Sequence, residues 1–225
     1  MDGVRQRSPY YKDWNPKYSG NDYNVFDWAG NIIVHEISQA EDGTLNVKIP
    51  ESVYNTFNKN VKLEMTNTFN NWEIDDARLK ITTNNFSAVV ANEMTDTCLI
   101  ECSVTFNADM RRCGVFIRGT SELDKAYYVT LNTQHNMIEF NSYLWQDEKG
   151  WRYLPYEIEQ QRPYEFKSDH KYQMKILTAG SICIVYFNNE VALTARMYDI
   201  ADGRFGFFVV GGETAFEDIK LLRQA

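Results

Sequence analysis

Apolar and polar positions alternate with a period of two through much of this chain, most clearly in Lys171–Leu222. There Tyr172, Met174 and Ile176 alternate with Gln173 and Lys175, which predicts a half-buried strand. Ala179-Gly180-Ser181 marks a turn. Ser181–Phe187 is apolar on both faces: Ile182, Ile184 and Tyr186 on one, Cys183, Val185 and Phe187 on the other. It reads as a strand covered on both sides. Asn188-Asn189 follows, and because Asn tolerates positive φ it predicts a two-residue hairpin turn. Glu190–Arg196 returns, Arg204–Val210 is another buried run, and Thr214–Leu222 closes the chain. The apolar phase slips by one residue between Phe216 and Ile219, which predicts a bulge near Glu217-Asp218.

The rest of the chain repeats this rhythm with weaker signals. Residues 1–24 are polar, aromatic and turn-rich; they predict no regular structure and read as a segment docked on a surface. Asn31–Ile37 and Thr44–Ile49 read as strands joined at Glu41-Asp42-Gly43. A lone hairpin is not independently stable, so it must lean on this chain or on another domain. Pro50–Thr56 could make one helical turn. Asn58–Phe69 is strand-like, Asn70–Arg78 reads as a loop carrying Trp72, Leu79–Thr83 is a strand, and Asn84–Val90 is ambiguous. Thr97–Phe106 and Cys113–Gly119 read as strands joined around Ala108-Asp109. Ala126–Asn132 and Met137–Trp145 make the next hairpin, Gln146–Gly150 a turn, Trp151–Pro155 a continuation and Gln160–Ser168 a loop. Strands every eight to twelve residues, with turn signals between them, predict a sandwich or barrel.

Charge and composition narrow the function classes. With 31 acidic against 23 basic residues, the formal net charge is −8. No basic cluster stands out, which argues against nucleic acid and anionic membrane as partners. No run approaches the ~18 apolar residues of a membrane span. The opening Met-Asp-Gly-Val-Arg is polar with no apolar core behind it, so no signal peptide is expected and a cytoplasmic location is the default. Cys98, Cys102, Cys113 and Cys183 match neither a zinc spacing nor a disulfide framework, and are expected to be buried free thiols.

Candidate chemistry is sparse. His35, His135 and His170 have no metal-ligand spacing, and HExxH, GxSxG, P-loop and GxGxxG motifs are absent. Gly211-Gly212 reads as turn and strand glycine. Glu101, Glu139, Glu217 and Asp218 lie on or beside predicted strands. Glu101 interrupts an apolar strand, and Arg118 is the one charge in its own. If those strands form a hairpin, the two could pair on one sheet face and offer fixed donors and acceptors to sugar hydroxyls. The competing reading is an outward-facing acid. Trp145, Trp151 and Tyr153 flank one exposed turn and Tyr127 lies on the strand before it. They are either core aromatics at a rim or a platform on which sugars stack. Most of the 13 Phe, 14 Tyr and 5 Trp are expected in the core.

Two stretches resemble a known family. Asp22–Pro50, with its DWAGN, VHE and DGTL runs, resembles the last strands of the five-bladed propeller of glycoside hydrolase family 32. Cys183–Phe187, Leu193–Tyr198 and Gly206–Val209 are similar to that family's C-terminal sandwich and to carbohydrate-binding module family 66, whose members bind fructans. The resemblance implies an all-β fold: a concanavalin A-like two-sheet antiparallel β-sandwich, or jelly roll, over residues 57–225. A hairpin extension over residues 1–56 would precede it. The family's WMNDPN and RDP motifs are absent, and Glu101-Cys102 reproduces its EC dipeptide inside a sandwich strand by coincidence.

The resemblance thus implies a non-catalytic carbohydrate-binding or clamp module of a fructan- or sucrose-acting hydrolase. Glu101, Arg118, Tyr127, Trp145, Trp151 and Tyr153 are its candidate carbohydrate contacts. The expected partners are a fructose-containing saccharide and a catalytic propeller domain. No cofactor is expected, and the sequence is silent on a structural calcium ion of the kind many relatives of this fold hold. Two alternatives stand beside this. One is a purely structural sandwich that buttresses a propeller. The other is a small hydrolase using sandwich carboxylates, which needs two carboxyl groups about 5–9 Å apart.

Overall fold

A computed structural model describes residues 33–65, 67–75, 78–144, 157–197 and 200–224. Two short strands, β1 (Glu36–Gln39) and β2 (Leu45–Lys48), lead into a single helical turn, α1 (Glu51–Tyr54). Then come β3 (Lys59–Val61), β4 (Asn67–Phe69), β5 (Glu73–Asp75), β6 (Arg78–Glu93), β7 (Thr97–Phe106) and β8 (Arg112–Gly119). β9 (Lys125–Asn132), β10 (Met137–Leu144), β11 (Glu157–Pro163), β12 (Tyr172–Ala179), β13 (Ile182–Phe187), β14 (Val191–Arg196) and β15 (Arg204–Arg223) complete the chain. Among the described residues no helix is long and apolar enough to cross a membrane.

Two strands are long enough to belong to both layers of a sandwich. The first half of β15 pairs with β8 and with the second half of β6; its second half pairs with β7 and with the first half of β6. One layer, sheet 1, therefore runs β11-β10-β9-β8-β15-β6-β4. The other, sheet 2, runs β14-β13-β12-β7-β15-β6 with β3 and β5 at its margin. All recorded pairings are antiparallel. The two layers give the jelly-roll sandwich expected from the sequence.

The crossing point is made by Gly211 and Gly212. Both have positive φ, 76° and 74°, and the β15–β6 register shifts between Val210 and Gly212. A Cβ on Gly212 would lie 2.3 Å from the Met110 backbone nitrogen. Only glycine fits that approach at that φ. The sequence reading split this segment into two strands at the glycine pair; the structure keeps one 20-residue strand and bends it. The same bend merges the predicted strand Leu79–Thr83 and the ambiguous Asn84–Val90 into β6. The expected Asn58–Phe69 strand is instead two short ones, the Asn70–Arg78 loop contains β5, and the Gln160–Ser168 loop overlaps β11.

Local chemistry explains the closing hairpins. Asn188 and Asn189 have φ of 53° and 54°, the two positive values of a type I′ turn between β13 and β14. Asp218, at φ 54°, sits where the β15–β7 register slips between Glu217 and Lys220, so the predicted bulge is present. Inward side chains of both sheets fill one core, including Ile100, Val115, Tyr127, Phe140, Tyr172, Ile176, Phe187, Phe207 and Phe216. All four cysteines are free and buried. Burial pushes the thiols of Cys102 and Cys183 up to about 12.

β13 is buried on both faces because its outward residues have their own cover. Ile182, Ile184 and Tyr186 pack with Ile49, Phe57, Leu99, Leu177 and Leu222, and with half-buried Ile33, Val47 and Tyr54. The hairpin thus leans on the outer face of sheet 2. Val47 N donates to Glu190 O at 3.1 Å, and His35 Nδ1 lies 3.1 Å from the Tyr186 hydroxyl. Each large apolar side chain buried there contributes roughly 1.5–3 kcal/mol. Ile49 and Phe57, on either side of the expected boundary at residue 56, belong to the same packed layer.

Candidate functional site

The hairpin and α1 cover one part of sheet 2's outer face. Glu101 lies at that cover. It points outward from β7, its side chain 11% exposed, with Lys220 Nζ 3.8 Å away. The Tyr54 phenol hydrogen-bonds Glu101; burial first, and then the Glu101 charge, push that phenol up. Lys175 Nζ stands 5.0 Å from the Tyr54 ring centroid. Glu101 therefore helps to pin α1 to the sandwich.

Farther along the same face lies a groove of ≈ 200 Å³ lined by Arg78, Lys80, Thr105, Asp169, Glu213 and Glu217 among others. Its charges largely satisfy one another. Arg78 pairs with Glu217 at 3.1 Å, Lys80 with Glu213 at 3.0 Å, and Lys171 with Glu217 at 3.1 Å. This is an ion-pair ladder over paired strands.

Arg118 does not meet Glu101. The expected β7–β8 hairpin does not form, because β8 and β7 follow one another along β15, β8 on its first half in sheet 1 and β7 on its second half in sheet 2. Arg118, the penultimate residue of β8, has a φ of 53° and is 2% exposed. Its guanidinium donates to the carbonyls of Ile200 (2.8 Å), Met197 (3.4 Å) and Gly180. It ties the β12–β13 turn to the segment after β14. Tyr127 is also internal: it stacks on Phe140, and its hydroxyl accepts from Ile200 N at 3.3 Å. Neither residue presents a face to a ligand. Trp145, Trp151 and Tyr153 lie outside the described residues.

The outer face of sheet 1 carries a different surface, and the register aligns it in rows. One row runs Phe86, Val210, Arg112, Asn132, Met137, Pro163 from β6 to β11. The next runs Ala88, Phe208, Gly114, Thr130, Glu139, Gln161. With strands ~4.8 Å apart, the backbones of Phe86 and Arg112 are separated by about 10 Å, and so are those of Arg112 and Met137.

The β6–β15 end of these rows is apolar. Phe86, 43% exposed, lies nearly parallel to Phe208, with centroids 6.3 Å apart and 23° between planes. Tyr128 meets Phe208 edge-on at 5.0 Å. Gly114 bears no side chain because a Cβ there would fall 1.9 Å from Val129 O.

The β9–β10 end is polar. Thr130 Oγ1 donates to Asn141 Oδ1 at 2.9 Å, and Asn132 Nδ2 to Glu139 Oε1 at 2.8 Å. The exposed His135 approaches Asn132 Nδ2 at 3.3 Å through Nδ1. Glu139 is 1% exposed, and its other oxygen, Oε2, has no hydrogen-bond partner. A buried carboxylate oxygen without a donor costs free energy. On this face Phe86 is exposed and Arg112 half-buried, the two groups that a hydroxylated, partly apolar molecule could meet, while the amides and the carboxylate are buried beside them. Sequence reasoning noted Glu139 only as an acid on a strand. Its pairing with Asn132 depends on the β9–β10 register, and Phe86 fell in the ambiguous segment.

Among the described residues, no group of three or more His, Cys, Asp or Glu is placed to hold a metal ion.

Comparisons with known proteins fit this architecture. The carbohydrate-binding module CBM66 from Bacillus subtilis superposes with a TM-score of 0.60 at 12% identity, covering 73% of this chain and 97% of that one. The exo-inulinase from Aspergillus awamori matches with a TM-score of 0.53 at 14% identity, over 85% of this chain and 34% of that one. A Bacillus subtilis protein of unknown function with a galectin-like fold matches with a TM-score of 0.50 at 11% identity, over 71% and 88%. At these identities the likeness is one of fold. No curated protein sequence matches the chain. A family model described as "GH32, BT1760-like, C-terminal domain" matches residues 43–221, from the β1–β2 turn to the last strand. The chain belongs to the GH32, BT1760-like, C-terminal domain family.

Proposed function

We propose that this chain is a non-catalytic carbohydrate-binding or clamp module of a fructan- or sucrose-acting glycoside hydrolase, and that its ligand lies on the outer face of sheet 1. The observation that carries this reading is the polarity of that face. An exposed aromatic, Phe86, and the half-buried Arg112 lie on the same sheet face as a buried polar row, Thr130–Asn132–Glu139, while the hairpin covers part of the other face. Membership of a GH32 C-terminal family supports a carbohydrate setting. The fold likeness to CBM66 and to an exo-inulinase supports fructose-containing saccharides as the first ligands to try. Trp145, Trp151 and Tyr153 belong to the stretch linking β10 to β11, the strands that bear Glu139 and Gln161, and remain proposed contacts. Calorimetric titration of the folded chain with levan, inulin, sucrose and fructose tests the reading. Binding to at least one at millimolar ligand is expected; no heat from any of them contradicts it.

A second reading, a sandwich that buttresses a catalytic propeller, is favoured by one observation. Ile37 and Leu45 share the sandwich-facing side of the hairpin with Val47, yet are 62% and 61% exposed, and Val34 is 64% exposed. An apolar overhang of this kind suits contact with another domain. Supplying the catalytic part should then raise the melting temperature of the chain; an unchanged melting temperature counts against this reading.

A further inference from the structure

We infer that the open end of the sandwich beside Arg223 is a second binding site, separate from the sheet 1 face, and that it takes a small monocarboxylate bearing hydroxyl groups. The link Met94–Asp96 carries the chain from the second half of β6, in sheet 1, to β7 in sheet 2, and β15 ends beside it. A cavity of ≈ 570 Å³ lies there, lined by Met94, Thr95, Asp96, Thr97, Arg223 and Gln224. That volume falls within the ~300–1,000 Å³ of small-molecule sites. Thr95, Asp96 and Gln224 are exposed, so the cavity opens to solvent on their side. Its walls are held in place: Met94 N donates to Gly203 O at 2.9 Å, and Gly180 N to Asp96 O at 3.2 Å.

Arg223 sets the chemistry. It follows Leu221 by two residues, so its side chain leaves β15 on the side where Leu221 joins the core. It is half-buried, and its Nε, shielded from water, has no hydrogen-bond partner. Among the described residues no carboxylate pairs with the guanidinium. A partly desolvated guanidinium without an acceptor costs free energy, and a carboxylate is the planar, charged acceptor that matches it. A ligand need not enter the core to supply one, because the cavity itself borders the arginine. The other polar groups of the lining can accept. Thr95 Oγ1 donates its proton to Thr97 O at 2.9 Å, and Gln224 Nε2 donates to Thr56 Oγ1 at 3.2 Å. The Thr95 oxygen and Gln224 Oε1 therefore suit hydroxyl donors. Asp96 puts a negative charge in the same cavity, which penalises a second charge on the ligand and favours a carboxylate over a phosphate dianion. Met94 adds an apolar wall.

Titration of the full chain with glucuronate, glucose and inorganic phosphate, followed by backbone amide shifts, tests this. Glucuronate differs from glucose by its carboxylate, so it should bind at least tenfold more tightly, with the shifts at Thr95–Thr97 and Arg223–Gln224. Phosphate should bind more weakly than glucuronate, and Asp96→Asn should narrow that difference. Arg223→Gln removes the cation and no bond within the chain. It should lose at least tenfold in glucuronate affinity while its melting temperature does not fall. Glucuronate bound no better than glucose, or unchanged affinity in Arg223→Gln, overturns the site. Phosphate bound as tightly as glucuronate overturns the monocarboxylate assignment. Should Arg223→Gln fail to fold, the wild-type shifts carry the test: glucuronate that moves Phe86 and Arg112 but not Thr95–Thr97 overturns the site. None of these results bears on fructan binding at sheet 1, which has its own titration.

Discussion

His35 Nδ1 lies 3.1 Å from the hydroxyl of Tyr186, joining the hairpin to the middle of sheet 2 across 151 residues of sequence. The rings also meet edge-on, with centroids 5.6 Å apart. Burial pushes the Tyr186 phenol up to about 12, so it is protonated at neutral pH and can donate. Burial also holds the His35 imidazole below its usual value, so it is neutral there and can accept.

This pair makes hairpin docking pH-dependent. The unfolded or undocked chain takes up a proton at the ordinary histidine value, ~6.5, while the docked imidazole resists. Below that pH the undocked state binds more protons, so docking weakens as pH falls and is fully present above it. Amide exchange in β1 and β2 should quicken between pH 7 and pH 5 relative to the intrinsic rate. In His35→Gln that extra pH dependence should vanish. A wild-type hairpin protected equally at both values would contradict the assignment.

Arg118 is a strut. Arg118→Lys cannot span the three carbonyls that the guanidinium reaches. Each buried acceptor left without a donor costs roughly 1–3 kcal/mol, so a total loss of about 3 kcal/mol or more is expected in chemical denaturation. Sugar affinity of the folded fraction should not change. Unchanged stability with lost affinity would instead return Arg118 to the ligand site.

The two glycines of the crossing should differ in tolerance. Gly212→Ala drives a methyl into the Met110 backbone, whereas Gly211→Ala meets the Arg111 side chain, at 2.7 Å from Nε, which can swing away. Both pay backbone strain at positive φ, of order 1–3 kcal/mol. Gly212→Ala should melt lower than Gly211→Ala. The reverse order would argue that β15 does not cross between the sheets at this point.

Buried thiols give a test of the core. Burial raises all four cysteine thiols. A thiolate-specific reagent at pH 8 should label none in the native chain and four in denaturant. Rapid native labelling of Cys102 or Cys113 would show that the two sheets do not close over them.

Local signals carried the elements well and the pairings poorly. Tyr172, Met174 and Ile176 alternate in one strand, and Asn188-Asn189 needs only its own φ preference, so the β12–β13–β14 meander could be read directly. The Glu217-Asp218 bulge showed as a slip in apolar phase. Gly211-Gly212 reads identically as a turn or as a bend within one strand; the choice is made by Met110, about a hundred residues away in the sequence. That crossing separates β7 from β8, and so separates Glu101 from Arg118. Both residues were conspicuous for a physical reason, each being a charge held in an apolar strand, but their partners, Tyr54 and the carbonyls near residue 200, are distant in sequence. The Glu139–Asn132 couple was hidden in the same way by register.

The most direct test of the sheet 1 site is backbone amide shift mapping during titration with fructose and a short fructan. The proposed site spans β6, β15, β8, β9 and β10, so perturbations should concentrate at Phe86, Arg112, Asn132 and Glu139, with β12, β13 and the hairpin silent. Perturbations confined to sheet 2 and its hairpin, with Glu139 and its neighbours unmoved, would contradict the account.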